Sequence, residues 1–265
     1  VLSAISGEAA GDVKISASRV DSLTLSDELK QMVGDRPVFD FSVRSADKTI
    51  SQFGENVSVS VPYTPKAGED TNAIVIYFIS AEGRPEIVSN CAYDPKTETI
   101  TFKTDHFTKY AVGYNRVTFN DVAANAWYGE AVCFAAARGI TKGTGDGNFH
   151  PEGKLTRGQL LVMVMRAYGI SPDENPKDNF SDAGNTYYTG YLATAKRLGI
   201  SGGVGNNMYA PDKEITRQEM FTLLYNTLKL IGELPQSRDG KKLNDFNDSG
   251  QIADWAKEAM RLFVE

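Results

Sequence analysis

The feature that most constrains the fold is an internal repeat in the second half of the chain, where the same motifs recur in the same order. Two stretches separated by 60 residues share a Gly-Ile pair, an aromatic-x-Pro triplet and a Thr-Arg pair. The copies are Gly139-Ile140 and Gly199-Ile200, Phe149-His150-Pro151 and Tyr209-Ala210-Pro211, and Thr156-Arg157 and Thr216-Arg217. Repeats of this length indicate supersecondary units that pack against their neighbours to bury a shared core.

A Phe-x-Asp triplet opens each unit and occurs three times, beginning at Phe119, Phe180 and Phe246. An aromatic residue follows eight or nine positions later, and these are Trp127, Tyr188 and Trp255. The third copy reaches only its first helix by residue 265. We therefore predict two complete units, 116–175 and 176–235, and a partial third, 243–265.

Each complete unit predicts a helix, a Gly-rich loop and a second helix. The loops contain Gly143 and Gly202 among several glycines. Thr156 with Gln159, and Thr216 with Glu219, fit the capping box, in which a hydroxyl caps the helix and the third helical residue bonds back. Apolar residues then follow at helical spacing, so this half is predicted to be all-α.

The first half predicts a different fold class. Residues 57–61 alternate between apolar and polar side chains, and residues 74–79 form a continuous apolar run. Short strands of this kind, separated by turn residues, predict an antiparallel all-β sandwich over 13–115. Residues 26–32 are its one predicted helix, and residues 1–12 are small and polar and are predicted to be a linker.

Composition excludes several classes of function. The net charge of −6 disfavours nucleic acid as the main partner, and no apolar stretch is long enough to insert into a membrane. The two cysteines are predicted to be isolated thiols, and the two histidines do not accompany a recognisable nucleophile or metal motif. We therefore expect a non-enzymatic protein without cofactor or metal. Because the chain starts at Val1, we expect a fragment of a larger protein.

The ordered motifs of residues 116–265 resemble the S-layer homology (SLH) motif. The resemblance implies a Gram-positive surface protein, secreted and held at the cell wall or S-layer. It also implies a pseudo-threefold helical bundle whose grooves bind secondary cell-wall polysaccharide, commonly with pyruvylated sugars. Two features depart from the family pattern: the third motif is incomplete, and Gln159 stands where the family usually has glutamate.

The first half is similar to a β-rich module that often precedes SLH motifs. The residues that carry this likeness are at 34–40 (GDRPVFD), 61–65 (VPYTP), 68–70 (GED) and 106–110 (HFTKY). The likeness assigns no role to this module, and we expect the sandwich to space or present whatever lies upstream.

The candidate binding residues follow from the helix starts and from the resemblance. A cation at the first helical position opposes the helix dipole, while the free N–H groups of that end attract anions. Arg157 and Arg217 are therefore predicted to hold a carboxylate of the polymer, and we expect their joint replacement by alanine to leave the fold intact. Thr156, Thr216, Trp127, Tyr188, Gly143 and Gly202 are the further candidates for carbohydrate contact.

Other interpretations of the same residues stay open. For the aromatic residues core packing is favoured over sugar contact, and for Asp121, Asp182 and Asp248 a turn or helix-cap role is favoured. The helices could instead mediate protein–protein assembly of a surface layer, with the arginines in salt bridges between subunits. The chain could also be the anchor of a surface-tethered glycoside hydrolase, and a homodimer could complete the third repeat.

Overall fold

The computed structural model describes residues 12–21, 25–46, 48–236 and 240–264, so the predicted linker lies almost wholly outside the described residues. The chain forms two compact units, residues 1–151 and residues 152–265. Within the described ranges, every helix is too short or too polar to cross a lipid bilayer.

The first unit is built on two antiparallel sheets. Its described strands are β1 (Val13–Arg19), β2 (Val38–Ser45), β3 (Lys48–Ile50), β4 (Gln52–Pro62), β5 (Ile74–Ile79), β6 (Pro85–Val88), β7 (Ala92–Asp94), β8 (Thr99–His106) and β9 (Lys109–Tyr114). The larger sheet has the order β1-β2-β9-β5-β6, with β3 paired to β2, and the smaller has the order β4-β8-β7. The predicted β-rich half is confirmed.

Side-chain alternation explains why the two sheets share one core. In β4 the buried residues Val57, Val59 and Val61 alternate with exposed ones, as the sequence pattern predicts. Strand β5 pairs with β9 on one side and β6 on the other, and its apolar run is almost entirely buried. Both sheets contribute to a single apolar cluster, which is the arrangement of a sandwich.

Three of the four segments that carry the likeness of the first half, 34–40, 61–65 and 68–70, meet at one ion pair. Arg36 Nε donates to Glu69 Oε1 at 3.1 Å, and the Tyr63 hydroxyl donates to Glu69 Oε2 at 2.7 Å. Burial opposes ionisation of Glu69, but hydrogen bonds from Tyr63, the Lys66 backbone and Arg36 outweigh it and lower the pKa of the carboxyl group. Burial and the same carboxylate raise the pKa of Tyr63 to about 12.

The α-helices described in the first unit are α1 (Asp27–Val33), capped by Ser26, and α2 (Gly129–Ala137). The residue that ends α2, Arg138, is only 2% exposed. Its Nε donates to the Cys91 carbonyl at 2.6 Å and its Nη2 to the Ile74 carbonyl at 2.9 Å. Arg138 thus fastens α2 to β5 and to the segment before β7, and burial lowers its pKa. Both cysteines are free thiols, as predicted.

The second unit is helical. Its described helices are α3 (Arg157–Ala167), α4 (Thr189–Arg197), α5 (Arg217–Leu230) and α6 (Lys257–Val264). Leu161, Met165, Leu192 and Ile200 are fully buried in its apolar core, which α3 and α4 dominate. Both predicted capping boxes are confirmed, at Thr156–Gln159 and Thr216–Glu219. The pseudo-threefold arrangement stays a prediction.

Candidate functional site

The Gly-rich loop of each motif is a tight turn that closes on itself. Gly203 has φ +77°, and a Cβ at this position would lie 2.2 Å from the Met208 carbonyl oxygen and 2.8 Å from the Phe180 ring. Gly143 has φ +70° and is equally crowded, by the Asn148 carbonyl oxygen. Only glycine fits both positions, so Gly143 is explained by the turn itself.

The Phe-x-Asp carboxylates tie each motif's start to its loop. Asp182 accepts the backbone N–H groups of Tyr209 at 2.8 Å and Ala210 at 2.7 Å. Asp121 accepts the equivalent pair from Phe149 and His150 at 2.8 and 2.7 Å, and these bonds lower its pKa. The expected turn role is correct, but neither carboxylate caps a helix, because α2 and α4 begin after Tyr128 and Tyr188.

Arg157 lies against the loop of the following motif. Its Nε donates to the Tyr209 carbonyl at 2.9 Å, and its guanidinium carbon is 4.8 Å from the centre of the Tyr209 ring. Its Nη1 donates to Glu219 Oε1 at 2.7 Å. The residue is 6% exposed, so its replacement by alanine is not expected to leave the fold undisturbed, contrary to the expectation from sequence.

Glu219 performs two tasks at the start of α5. Its Oε2 accepts the Thr216 N–H at 2.8 Å and so completes the capping box, while its Oε1 neutralises Arg157. Burial raises its pKa, but the bonds from Thr216 and the charge of Arg157 prevail and lower it. The chain itself therefore supplies one carboxylate beside Arg157, at Nη1.

The start of α3 is not a free anion-binding end. The Arg157 N–H donates to the Lys213 carbonyl at 2.9 Å and the Gly158 N–H to the Pro211 carbonyl at 2.8 Å. The Gln159 N–H is bonded to the Thr156 hydroxyl at 3.3 Å. Because these three amides are satisfied internally, the helix-end argument made from the sequence is wrong for α3.

An open cleft of about 590 Å³ lies beside the Arg157–Glu219 pair. The residues that give it its chemical character are Arg157, Gly202, Tyr209, Glu219, Asn226 and Trp255. Nη2 of Arg157 has no hydrogen-bond partner in the described part of the chain, and Trp255 is 57% exposed. The cleft thus combines hydrogen-bond donors, exposed backbone at Gly202 and one wide aromatic face.

Gly202 differs from the other loop glycines. Nothing lies within 4 Å of a Cβ built on it, and its φ is outside the left-handed region. Its small size is therefore not required by the turn. What glycine provides at this position is open space on the cleft wall.

The partial third motif is packed onto α5. The Phe221 and Phe263 rings lie 5.4 Å apart, and the Tyr225 hydroxyl donates to Glu258 Oε1 at 2.5 Å. This packing brings Trp255 to the cleft. The sequence identified the Phe-x-Asp and aromatic positions of this motif but did not connect Trp255 with Arg157.

The predicted aromatic residues are placed differently by the structure. Trp127 is 92% exposed, so its favoured core role is wrong, whereas Tyr188 is buried and its hydroxyl donates to Asp212. Trp127, Tyr187 and Trp255 each stand two residues before the first residue of α2, α4 or α6, and all three are exposed. Tyr187, not Tyr188, is the structural counterpart of Trp127.

The remaining candidates do not line the cleft. Thr156 and Thr216 cap α3 and α5, and Arg217 is exposed without an ion pair among the residues described. Trp127 and Gly143 belong to the first unit. Of the eight predicted site residues, Arg157 and Gly202 meet at the cleft. Sequence reasoning missed Glu219 and Asn226 as cleft residues, although Glu219 stood inside a recognised motif. It considered sugar contact for Trp255 but favoured core packing, which is wrong for a side chain that is 57% exposed.

Comparison with known proteins agrees with this arrangement of repeats. The S-layer homology domain matches residues 118–161 and 179–221. The chain is 29% identical to the amylopullulanase of Thermoanaerobacterium thermosulfurigenes over 220 residues, which is 81% of this chain and 12% of that protein. It is 29% identical to the S-layer protein sap of Bacillus anthracis, over 56% of this chain and 17% of that protein.

A third relative is the exoglucanase XynX of Acetivibrio thermocellus, 31% identical over 54% of this chain and 13% of that protein. The chain thus spans about an eighth to a sixth of the length of these relatives. The match to amylopullulanase is longer than residues 116–265, so it necessarily includes part of the β-sandwich unit.

The second unit thus combines helical repeats with an open cleft beside the Arg157–Glu219 pair. The chain carries two S-layer homology motifs, at residues 118–161 and 179–221, and its similarity to S-layer proteins indicates a place at the cell surface. The chain is similar both to an S-layer protein and to an amylopullulanase and an exoglucanase. This range of relatives supports, at a general level, a non-catalytic domain that anchors proteins to the cell wall.

Proposed function

We propose that this chain anchors its parent protein by binding an anionic secondary cell-wall polysaccharide, with a pyruvylated sugar in the cleft beside Arg157. The observation that carries the proposal is the joint presence of Arg157, Gly202 and Trp255 around one open cleft. The match to the S-layer homology domain supports a cell-wall polysaccharide as the ligand. The residues that line the cleft support a ligand that carries both a carboxylate and a sugar ring.

Each wall of the cleft suits one part of such a sugar. Nη2 of Arg157 offers charge-assisted hydrogen bonds to a carboxylate, and the pair with Glu219 holds the guanidinium in place. The exposed face of Trp255 suits the apolar C–H face of a sugar ring. Asn226 donates to the Ile200 carbonyl at 3.0 Å, which leaves its own side-chain oxygen to accept from a sugar hydroxyl.

The other candidates enter the proposal in supporting roles. Arg217 is an exposed cation at the start of α5 and is proposed as a second contact, with Thr216 beside it. Trp127 offers an exposed ring in the first unit. A homodimer that completes the third repeat also remains a proposal, and light scattering that shows only monomer would contradict it.

An assembly role, with both arginines in salt bridges between subunits, has less support. Arg157 already pairs with Glu219 inside the chain, so only Arg217 is exposed for such a bridge. That the parent protein is a surface-tethered glycoside hydrolase is a second proposal. It is favoured by the similarity to amylopullulanase over 81% of this chain, and the complete gene would decide it.

The sharpest test fills the cleft without disturbing the fold. Gly202→Leu adds a side chain into open space, and we expect it to weaken binding to purified wall polymer at least about tenfold with an unchanged melting temperature. The matched control is Gly250→Leu in the same unit, which also meets nothing within 4 Å and should bind normally. Equal binding by Gly202→Leu and the parent protein would overturn the assignment of the cleft.

The chemistry of the ligand is tested separately. Sacculi whose pyruvyl groups have been removed should retain much less protein in a sedimentation assay than untreated sacculi. Full retention would show that the carboxylate of the polymer is not what the protein recognises, even if the Gly202→Leu result confirmed the cleft.

A further inference from the structure

The Trp255 side chain is mostly exposed, so burial cannot account for its fixed position in the cleft wall. It is 57% exposed, yet it forms one wall of the cleft. It lies in a short 3-10 turn, Asp254–Ala256, that precedes α6. A ring that is mostly in water keeps one orientation only if the backbone that carries it is fixed from elsewhere.

One side chain fixes that backbone at its start. Gln218 Oε1 accepts the N–H of Ala253 at 3.0 Å, and Ala253 is the residue that caps the turn carrying Trp255. Gln218 is the second residue of α5, whose side chains also line the cleft. The bond therefore links the helix that forms one wall to the segment that supplies the aromatic wall.

The other contacts between the third motif and α5 involve residues of α6, which follows Trp255. Tyr225 with Glu258, and Phe221 with Phe263, hold the body of α6. Ala256 is fully buried and anchors the end of the turn. Immediately before the turn, the Ala253 N–H donates to Gln218 Oε1 on α5.

The bridging role of the second residue of α5 has no counterpart in the first motif. The equivalent residue in α3 is Gly158, where a Cβ would already lie 3.1 Å from the Pro211 carbonyl oxygen and from the Tyr188 ring. A glutamine at this position would require these neighbours to move apart. The same place in two repeated helices thus serves close backbone packing in one and a long side-chain bridge in the other.

We infer that Gln218 is a positioning residue, which orients Trp255 as the aromatic wall of the cleft through its bond to Ala253. The inference rests on the proposed function for its consequence in binding, but the orientation of Trp255 is measurable without any ligand. Loss of the amide oxygen releases the turn, and the ring then samples more orientations than the cleft can use.

The test uses the two tryptophans of the chain. In a Trp127→Phe background the fluorescence comes from Trp255 alone. Adding Gln218→Ala should raise acrylamide quenching about twofold and lower the steady-state anisotropy, with the melting temperature unchanged. Gln218→Glu keeps an acceptor oxygen and should restore the parent values. The reverse background, Trp255→Phe, reports Trp127 and should not respond to Gln218→Ala.

Binding to purified wall polymer is measured on the same variants. Gln218→Ala should weaken it about three- to tenfold. Unchanged quenching and anisotropy in Gln218→Ala would overturn the positioning role, whatever the binding result. Altered fluorescence with unchanged binding would confirm that Gln218 orients Trp255. The same result would contradict the proposed contact between Trp255 and the sugar ring.

Discussion

The first residue of α3 and the third residue of α5 form one buried ion pair, in which Arg157 Nη1 donates to Glu219 Oε1 at 2.7 Å. The pair explains why the two motifs differ at the capping position. Sixty residues before Arg157 stands Thr97, so no earlier motif offers an arginine to Gln159. Gln159 has only to cap α3, which it does by accepting the Thr156 N–H at 2.9 Å.

The first prediction concerns the stability of the second unit. Arg157→Met should lower the free energy of unfolding by about 3 kcal/mol, because it leaves Glu219 buried without its partner. The double variant Arg157→Met/Glu219→Gln should lose less than the sum of its single changes. Urea unfolding followed by Trp255 fluorescence in a Trp127→Phe background measures both.

The repeat itself supplies the control for that measurement. Arg217→Met changes the equivalent arginine of α5, which is exposed, and should alter stability by no more than about 0.5 kcal/mol. If the two arginine variants destabilised the unit equally, the ion pair would not be the reason for the cost at Arg157.

The second prediction is a pH dependence of the β-sandwich unit. The folded state lowers the pKa of Glu69 below its ordinary value of 4.5, so the carboxylate adds stability above that pH and loses it as the pH falls through the lowered pKa. The midpoint of urea unfolding, followed by near-UV circular dichroism, should therefore drop between pH 5 and pH 3.

Glu69→Gln isolates that carboxylate from Glu219, whose pKa is also lowered. The variant should be less stable than the parent at neutral pH, and the difference between them should shrink as the pH falls below 4.5. A constant difference across this range would show that the ionised form of Glu69 is not what the fold stabilises.

The third prediction concerns Arg138. Arg138→Met removes donors from the carbonyls of Cys91, Asn72 and Ile74, and should cost the first unit about 3 kcal/mol in urea unfolding. Arg138→Lys should recover little of this, because one ammonium group cannot reproduce the planar fork. Arg197→Met, at the exposed end of α4, is the control and should be close to neutral.

Local features of this fold were predictable, because they depend on neighbouring residues. The alternation that forms β4 and the capping boxes of α3 and α5 are written within a few positions of one another. The partner of Arg157 lies 62 residues away, and nothing in the spacing indicates it. Likewise Arg138 has backbone acceptors, which leave no mark in the sequence.

The aromatic positions show the same limit in another form. The motif count aligned Tyr188 with Trp127, because both follow their Phe-x-Asp triplets by eight residues. The helix starts show that the second motif has one residue fewer than the first between the triplet and the helix, so that Tyr187 takes the exposed place. Whether an aromatic side chain is exposed therefore depends on its distance from the start of the helix. The count of residues from the Phe-x-Asp triplet does not determine that distance.

The last prediction concerns Asp182, which does not line the cleft but holds the loop segment that carries Tyr209, a cleft residue. Its carboxylate holds the amides of Tyr209 and Ala210, and Ala210 has φ +56°, a conformation that costs an alanine about 1 kcal/mol. Asp182→Ala should therefore release the loop, lower the stability of the second unit by about 2 kcal/mol, and weaken binding to wall polymer by displacing Tyr209 from Arg157. Asp182→Asn keeps one acceptor oxygen and should fall between the parent and Asp182→Ala in both measurements.

The matched control is Asp178→Ala, which removes an exposed carboxylate paired with Lys196 and should change stability by at most about 0.5 kcal/mol. Unfolding in urea and titration with purified polymer measure the two effects separately. Because Asp182 acts through the loop, Ala210→Gly should partly restore both stability and binding in Asp182→Ala by removing the strain that the carboxylate holds in place. If Ala210→Gly restored neither, the loss in Asp182→Ala would not arise from the conformation of the loop.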